Sequence, residues 1–104
     1  MSAIKYTNIF DAVTDDQAEA NELQTRSDLM IVIRDIIDAN EWTQAEAADR
    51  LGLTQPRVSD LKRGKIEKFS IDLLMTCLYR IGFRFKPRYN AKLDKLKMDV
   101  ITVQ

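Results

Sequence analysis

The eighteen residues from Gln44 to Leu61, QAEAADRLGLTQPRVSDL, constrain the fold more than any other stretch of the chain. They read as a short helix, a tight break at Gly52 and a second short helix. Neither segment is long enough to be stable alone in water, so the two must cross and share a core. Ala48 is small enough for a close crossing, Gly52 takes the positive φ that the break needs, and Val58 plugs the corner. Leu51, Leu53 and Leu61 complete the expected local core. With Val58 and Leu61 turned inward, Gln55, Arg57, Ser59, Lys62 and Arg63 are left facing solvent, with Asp60 beside them.

Both helix starts are marked. Thr43-Gln-Ala-Glu46 is a capping box, in which the Thr43 hydroxyl accepts from the Glu46 amide and the Glu46 carboxylate reaches back to the Thr43 amide. Trp42 is expected to pack beneath that start. Thr54 caps the second helix, where Pro56 is tolerated because a first-turn amide has no intrahelical partner.

The run TQAEAADRLGLTQPRVSDLKRGK, Thr43 to Lys65, resembles the helix-turn-helix of the Xre/Cro family, the lambda-type phage repressors and their bacterial relatives. The Thr-Gln before the first helix, the Ala48, Gly52, Val58 spacing and the closing Leu61-Lys62-Arg63-Gly64-Lys65 carry the likeness. The wider layout is similar to the antitoxin-like, HigA-type branch: an acidic arm, RVSDLKRGKIEKFSIDLL in the middle and a strand-like tail at Phe83 to Pro87. It covers roughly residues 8–89. The resemblance implies an all-α, lambda-repressor-like bundle of about five helices, ending in a short C-terminal β-strand or hairpin. It further implies that Gln44 binds a DNA phosphate and braces a residue of the second helix. The chain departs from many phage repressors at Pro56, where they carry Gln or Ser. An amide-to-adenine contact is therefore absent there, though a thymine methyl can still be touched.

The residues themselves suit duplex DNA. Arg57 can pair with guanine in two hydrogen bonds, worth about 1–3 kcal/mol against a wrong base. Lys62, Arg63, Lys65 and Lys68 cluster around Gly64 and suit phosphates, although cations near a helix end also simply complement its dipole. The candidate DNA-binding set is Thr43, Gln44, Thr54, Gln55, Pro56, Arg57, Ser59, Asp60, Lys62, Arg63, Lys65 and Lys68. Double-stranded RNA fits poorly, because its deep, narrow major groove does not admit a helix.

Net charge is zero, yet unevenly placed. Residues 1–46 hold three basic and ten acidic side chains, a balance of −7, and residues 47–104 carry +7. A chain so divided can turn a positive face to phosphate while its other end stays acidic, although two ordinary solvated surfaces fit the same numbers. At 104 residues it has room for one domain with a modest core. The longest apolar run, Leu29 to Ile33, falls short of the roughly 18 residues that span a bilayer. MSAIKYTNIFD lacks the order of a signal peptide, and the single Cys77 forms no internal disulfide, so a cytoplasmic protein is expected. With no histidine, glycine-rich phosphate loop or metal-spaced acid cluster, neither enzyme activity, metal nor cofactor is expected.

Three regions follow: an acidic arm at 1–24, a DNA-binding domain at 25–82 and a strand-containing tail at 83–104. In the arm, Ile4, Tyr6, Ile9 and Phe10 show no period, and Thr14 with Gln17 suggests a capping box opening a polar helix. A stronger helix is expected from Thr25 or Ser27 to Asn40, with Leu29, Met30, Ile33, Ile36 and Ile37 as its core stripe and Ile31 and Val32 widening it. Asn40 is the expected left-handed terminus. Ser70 caps a last helix, whose stripe is Ile71, Leu74, Met75, Leu78 and Ile81, with Cys77 as filler and Gly82 closing it. Phe83, Phe85 and Pro87 then alternate with Arg84, Lys86 and Arg88, a strand of about five residues. Its pairing partner is a second subunit, a second tail strand at Val100 to Val103 or another protein's sheet edge, and the intervening 90–97 reads as a short helix. The expected partners are double-stranded DNA with a palindromic operator, a second copy of the chain and, by resemblance, a small basic RNase toxin.

Overall fold

The computed structural model describes residues 11–103, with side chains from Asp16 onward. Ile4, Tyr6, Ile9 and Phe10 of the expected arm lie outside the described residues, as does the Thr14 side chain. Four α-helices occur, α1 (Asp11–Ala39), α2 (Gln44–Leu51), α3 (Gln55–Lys62) and α4 (Ile71–Arg80). One 3-10 turn (Ile66–Lys68) and an antiparallel hairpin of β1 (Phe83–Asn90) and β2 (Lys95–Thr102) complete the described chain. The expected count of about five helices is thus four plus a single 3-10 turn.

The difference lies in α1. A polar helix opening at Thr14 and a separate one from Thr25 or Ser27 are in fact one helix of 29 residues. No Gly or Pro falls between Asp11 and Ala39, so nothing in the chain stops propagation. Local bonds also bridge the supposed junction. The Thr25 hydroxyl donates to the Asn21 carbonyl at 2.9 Å, the Gln24 amide to Asp28 at 2.9 Å, and Arg26 pairs with Glu22 at 3.0 Å.

Its far end also departs from expectation. The left-handed residue is Glu41, at φ 56°, and not Asn40. The Trp42 amide donates to the Ile37 carbonyl and the Glu41 amide to Asp38, each at 3.1 Å. That pair of bonds places the αL residue one step past the cap, while the Asn40 side chain donates back to the Ile36 carbonyl at 2.8 Å.

The core joins one stripe from each helix. Met30, Ile33 and Ile37 of α1 meet Ala47, Ala48 and Leu51 of α2, Val58 and Leu61 of α3, and Leu74, Cys77 and Leu78 of α4, with Phe69 beneath the 3-10 turn. Leu53, Ile36, Ile81, Phe83 and Phe85 pack on it from the side. Ile31 and Val32, expected to widen the α1 stripe inward, are instead exposed.

The tail resolves its pairing within the chain: β1 runs against β2, with Phe83 opposite Thr102 and Asn90 opposite Lys95. Each strand has eight residues, longer than expected. The expected short helix at 90–97 is instead the turn and the start of β2. Here the Asn90 carboxamide oxygen accepts from the amides of Lys92 and Leu93 at 3.0 and 3.2 Å, Asp94 takes φ 49°, and the Tyr89 hydroxyl donates to Asp94 at 2.8 Å. An Asn side chain that satisfies two successive amides folds a turn more readily than a helix. Among the described residues, no helix is long and apolar enough to cross a membrane.

Candidate nucleic-acid interface

The break between α2 and α3 forms as its residue types dictate. Gly52 sits at φ 75°, the Leu53 amide donates to the Ala48 carbonyl at 2.9 Å, and Ala47, Ala48, Val58 and Leu61 are buried between the helices. Both bonds of the capping box are made: the Glu46 amide to Thr43 Oγ1 at 3.1 Å and the Thr43 amide to Glu46 Oε1 at 2.8 Å. The amides of Gln44 and Ala45 lie in the first turn, where no intrahelical acceptor exists, so they are disposed toward an anion.

Gln44 ties the two helix starts together. Its Nε2 donates to the Gln55 carbonyl at 2.9 Å, fixing the entry of α3 relative to α2. Thr54 caps α3 by accepting from the Arg57 amide at 3.3 Å, and Pro56 lies in the first turn. The exposed end of α3 is therefore made of Thr54, Gln55 and Pro56, next to exposed Thr43 and Gln44.

The remaining expected residues divide. Lys62, Arg63, Lys65 and Lys68 are exposed, whereas Arg57, Ser59 and Asp60 are half-buried. Arg57 departs from expectation. Instead of projecting outward, it folds back along the surface, with Nη1 donating to the Lys68 carbonyl at 3.1 Å and Cζ 5.7 Å from the Phe69 ring centroid. A neutral-acceptor hydrogen bond and a partly exposed cation–π contact together hold it by about 1–2 kcal/mol. A guanine contact is worth a comparable amount, so its release on DNA is close to energetically neutral. Asp60 turns toward cations: Arg63 Nη2 lies 3.3 Å and Lys65 Nζ 4.0 Å from its carboxylate. Such pairs are weak enough, at about 0–1 kcal/mol, to give way to phosphate.

Two arginines of α1 buttress this surface, and nothing in the pattern of α3 announces them. Arg34 Nη1 donates to the Lys62 carbonyl at 3.1 Å, placing a cation on the last turn of α3. Arg26 Nη1 reaches the carbonyls of Ile66 and Phe69 at 3.4 and 3.3 Å and so braces the 3-10 turn that carries Lys68. These are the two basic residues in a helix otherwise rich in carboxylates, eight positions apart on one side. That spacing is the signal by which they were recognisable. After α3, Gly64 at φ 72° closes the helix, with the Lys65 amide on the Asp60 carbonyl at 3.0 Å and the Gly64 amide on Leu61 at 3.1 Å. This double bond pattern fixes where Lys65 leaves the helix.

The hairpin carries charge that the alternating pattern hinted at but whose extent came only with β2. The register puts Arg84, Lys86, Arg88, Lys95 and Lys97 on one face, with Asp99 as the acid among them, paired to Arg88 at 2.8 Å.

A family model described as a helix-turn-helix domain matches residues 12–86. A search among curated proteins found no match.

Proposed function

The chain belongs to the helix-turn-helix domain family, and from that premise we propose that it is a sequence-specific regulator of transcription of the Xre type, binding duplex DNA through α2 and α3. The observation that carries this reading is the Gln44–Gln55 bond, which locks the exposed start of α3 to a helix end suited to a phosphate. In this reading Gln44, Thr43 and the α2 amides hold one phosphate. Lys62, Arg63, Lys65 and Lys68 hold others, and Gln55, Pro56, Ser59 and a released Arg57 meet base edges.

One eight-residue helix reads only a few base pairs. The protein therefore acts as a dimer, setting two copies of α3 into major grooves about 34–36 Å apart on a palindromic operator. Occupying a promoter in the cytoplasm would repress it, and autorepression of its own operon fits the antitoxin-like layout. No catalytic step is involved. A second reading, neutralisation of a small basic RNase toxin, is favoured by the exposure of residues 16–25 of α1, which include Asp16, Glu19 and Glu22. An adjacent reading frame for a small basic protein that co-purifies with this chain would support it, and its absence would remove that support.

Selection of bound duplexes from a random pool tests the main reading. The expected product is a motif with two half-sites about 10–10.5 base pairs apart, in which Gln55→Ala relaxes one position per half-site. Lys65→Ala should weaken all sequences alike and lower the salt slope by about 0.9. A pool that emerges unenriched would overturn the assignment.

A further inference from the structure

The hairpin is two-faced, and one face has nothing over it. Because opposed residues share a face, the register groups Pro87, Tyr89, Leu96, Met98 and Val100 with Phe83 and Phe85, opposite the cationic face. Phe83 and Phe85, at the base, pack against the core. Beyond them the cover stops: Tyr89 is 62% exposed, Leu96 70%, Met98 55% and Val100 58%. The surface continues onto α1, where a wholly apolar depression of about 190 Å³ is lined by Leu29, Val32, Ile36, Leu78, Phe83, Phe85 and Val100. Val32 at its rim is 46% exposed.

A two-stranded ribbon is marginal in water unless its apolar face is packed, and here only the base is packed. An uncharged apolar surface of this extent rimmed by charge marks an interface. We propose that a second copy of this chain covers it, so that the outer apolar face of the hairpin and the Val32 side of α1 form the dimer contact. This deepens the dimeric reading given above by assigning its surface.

Three features favour a second copy. A two-fold contact sets a patch against itself, which a like-charged surface resists and this one, without an ionised group, permits. The charges bordering the patch are also complementary between copies. The hairpin's reverse face has five cations, whereas residues 11–25 of α1 hold Asp11, Asp15, Asp16, Glu19 and Glu22 and no base. An antiparallel approach brings the acidic helix of one copy toward the basic ribbon of the other. The size is also sufficient. A standard interface takes roughly 20–30 residues from each side, and the ribbon from Phe83 to Thr102 with the exposed turns of α1 supplies that number.

The test is sedimentation equilibrium of the full chain beside Leu96→Lys/Met98→Lys. Both positions are more than half exposed, so the substitutions remove no core contact. The expected result is a dimer for the natural chain at micromolar concentration, and a monomer of unchanged helical circular dichroism for the variant. The natural chain's melting temperature should rise with protein concentration, and the variant's should not. A variant that stays dimeric overturns the assigned surface while leaving a dimeric regulator intact; a natural chain that is monomeric overturns both. A dimer that the variant disrupts, but that shows no preference among DNA sequences, would leave the surface standing and remove the DNA-reading function.

Discussion

Glu41 and Cys77 each sit where the fold asks for something their side chains do not supply. Glu41 holds a left-handed φ of 56° at the end of α1, a conformation that costs a residue with Cβ about 1–2 kcal/mol relative to glycine. Because glycine also gains freedom in the unfolded chain, Glu41→Gly is expected to stabilise by a smaller amount, about 0.5–1 kcal/mol, read as a higher urea midpoint at unchanged slope. Cys77 is buried, and burial pushes its thiol from 9.0 up to about 11 against a smaller opposing pull from Arg80. The native state therefore keeps its proton in a range where the unfolded chain has lost it. The stabilisation from this group is fully present below about pH 9 and is lost as pH rises through about 11. Tyr89, raised by its hydrogen bond to Asp94, adds a loss of the same sign. Denaturation across pH 8–11 should thus show falling stability, and a Tyr89→Phe chain should isolate the share that Cys77→Ala then removes. Stability that is flat or rising over that range would contradict the assignment.

Among the elements, α2 and α3 were readable because each feature has one local cause. Thr43 with Glu46, Gly52, and Thr54 with Pro56 announce a start, a break and a start, and the bonds form accordingly. The same was true of Ser70, whose hydroxyl accepts from the Leu73 amide at 3.1 Å to begin α4. The continuity of α1 was hidden because Thr14 and Ser27 look like caps; a polar helix interior with back-bonding Thr and i,i+4 pairs needs no cap. The outward Arg57 failed for a different reason. Helix periodicity fixes where Cβ points and leaves the guanidinium free to find Phe69 and the Lys68 carbonyl, groups eleven and twelve residues away. Nor could Arg34 be paired with the Lys62 carbonyl before the packing of α1 on α3 was known. That bond carries an expectation at this scale. Arg34→Ala should loosen the last turn of α3 by about 1 kcal/mol, so amide exchange at Gly64 and Lys65 should quicken roughly five-fold with little change in α4. Uniform acceleration across the domain would mean that the contact supports global stability instead.

At the scale of the molecule, charge is sorted by element. The exposed start of α1 is acidic, the end of α3 and the turn after it are basic, and the ribbon is basic on one face and apolar on the other. The balance of −7 and +7 foretold a division but not its geometry, since the pairing of β1 with β2 decides which side chains share a face. The central claim is that duplex DNA meets this molecule at the start of α2, at α3 and at the turn after it. Amide chemical-shift changes in labelled protein, followed as a duplex carrying the selected site is added, test this directly. The account predicts that the largest shifts fall on residues 43–46 and 54–68, while α4 is undisturbed. Shifts confined to the hairpin, with Gln44, Gln55 and Lys65 unmoved, would contradict it.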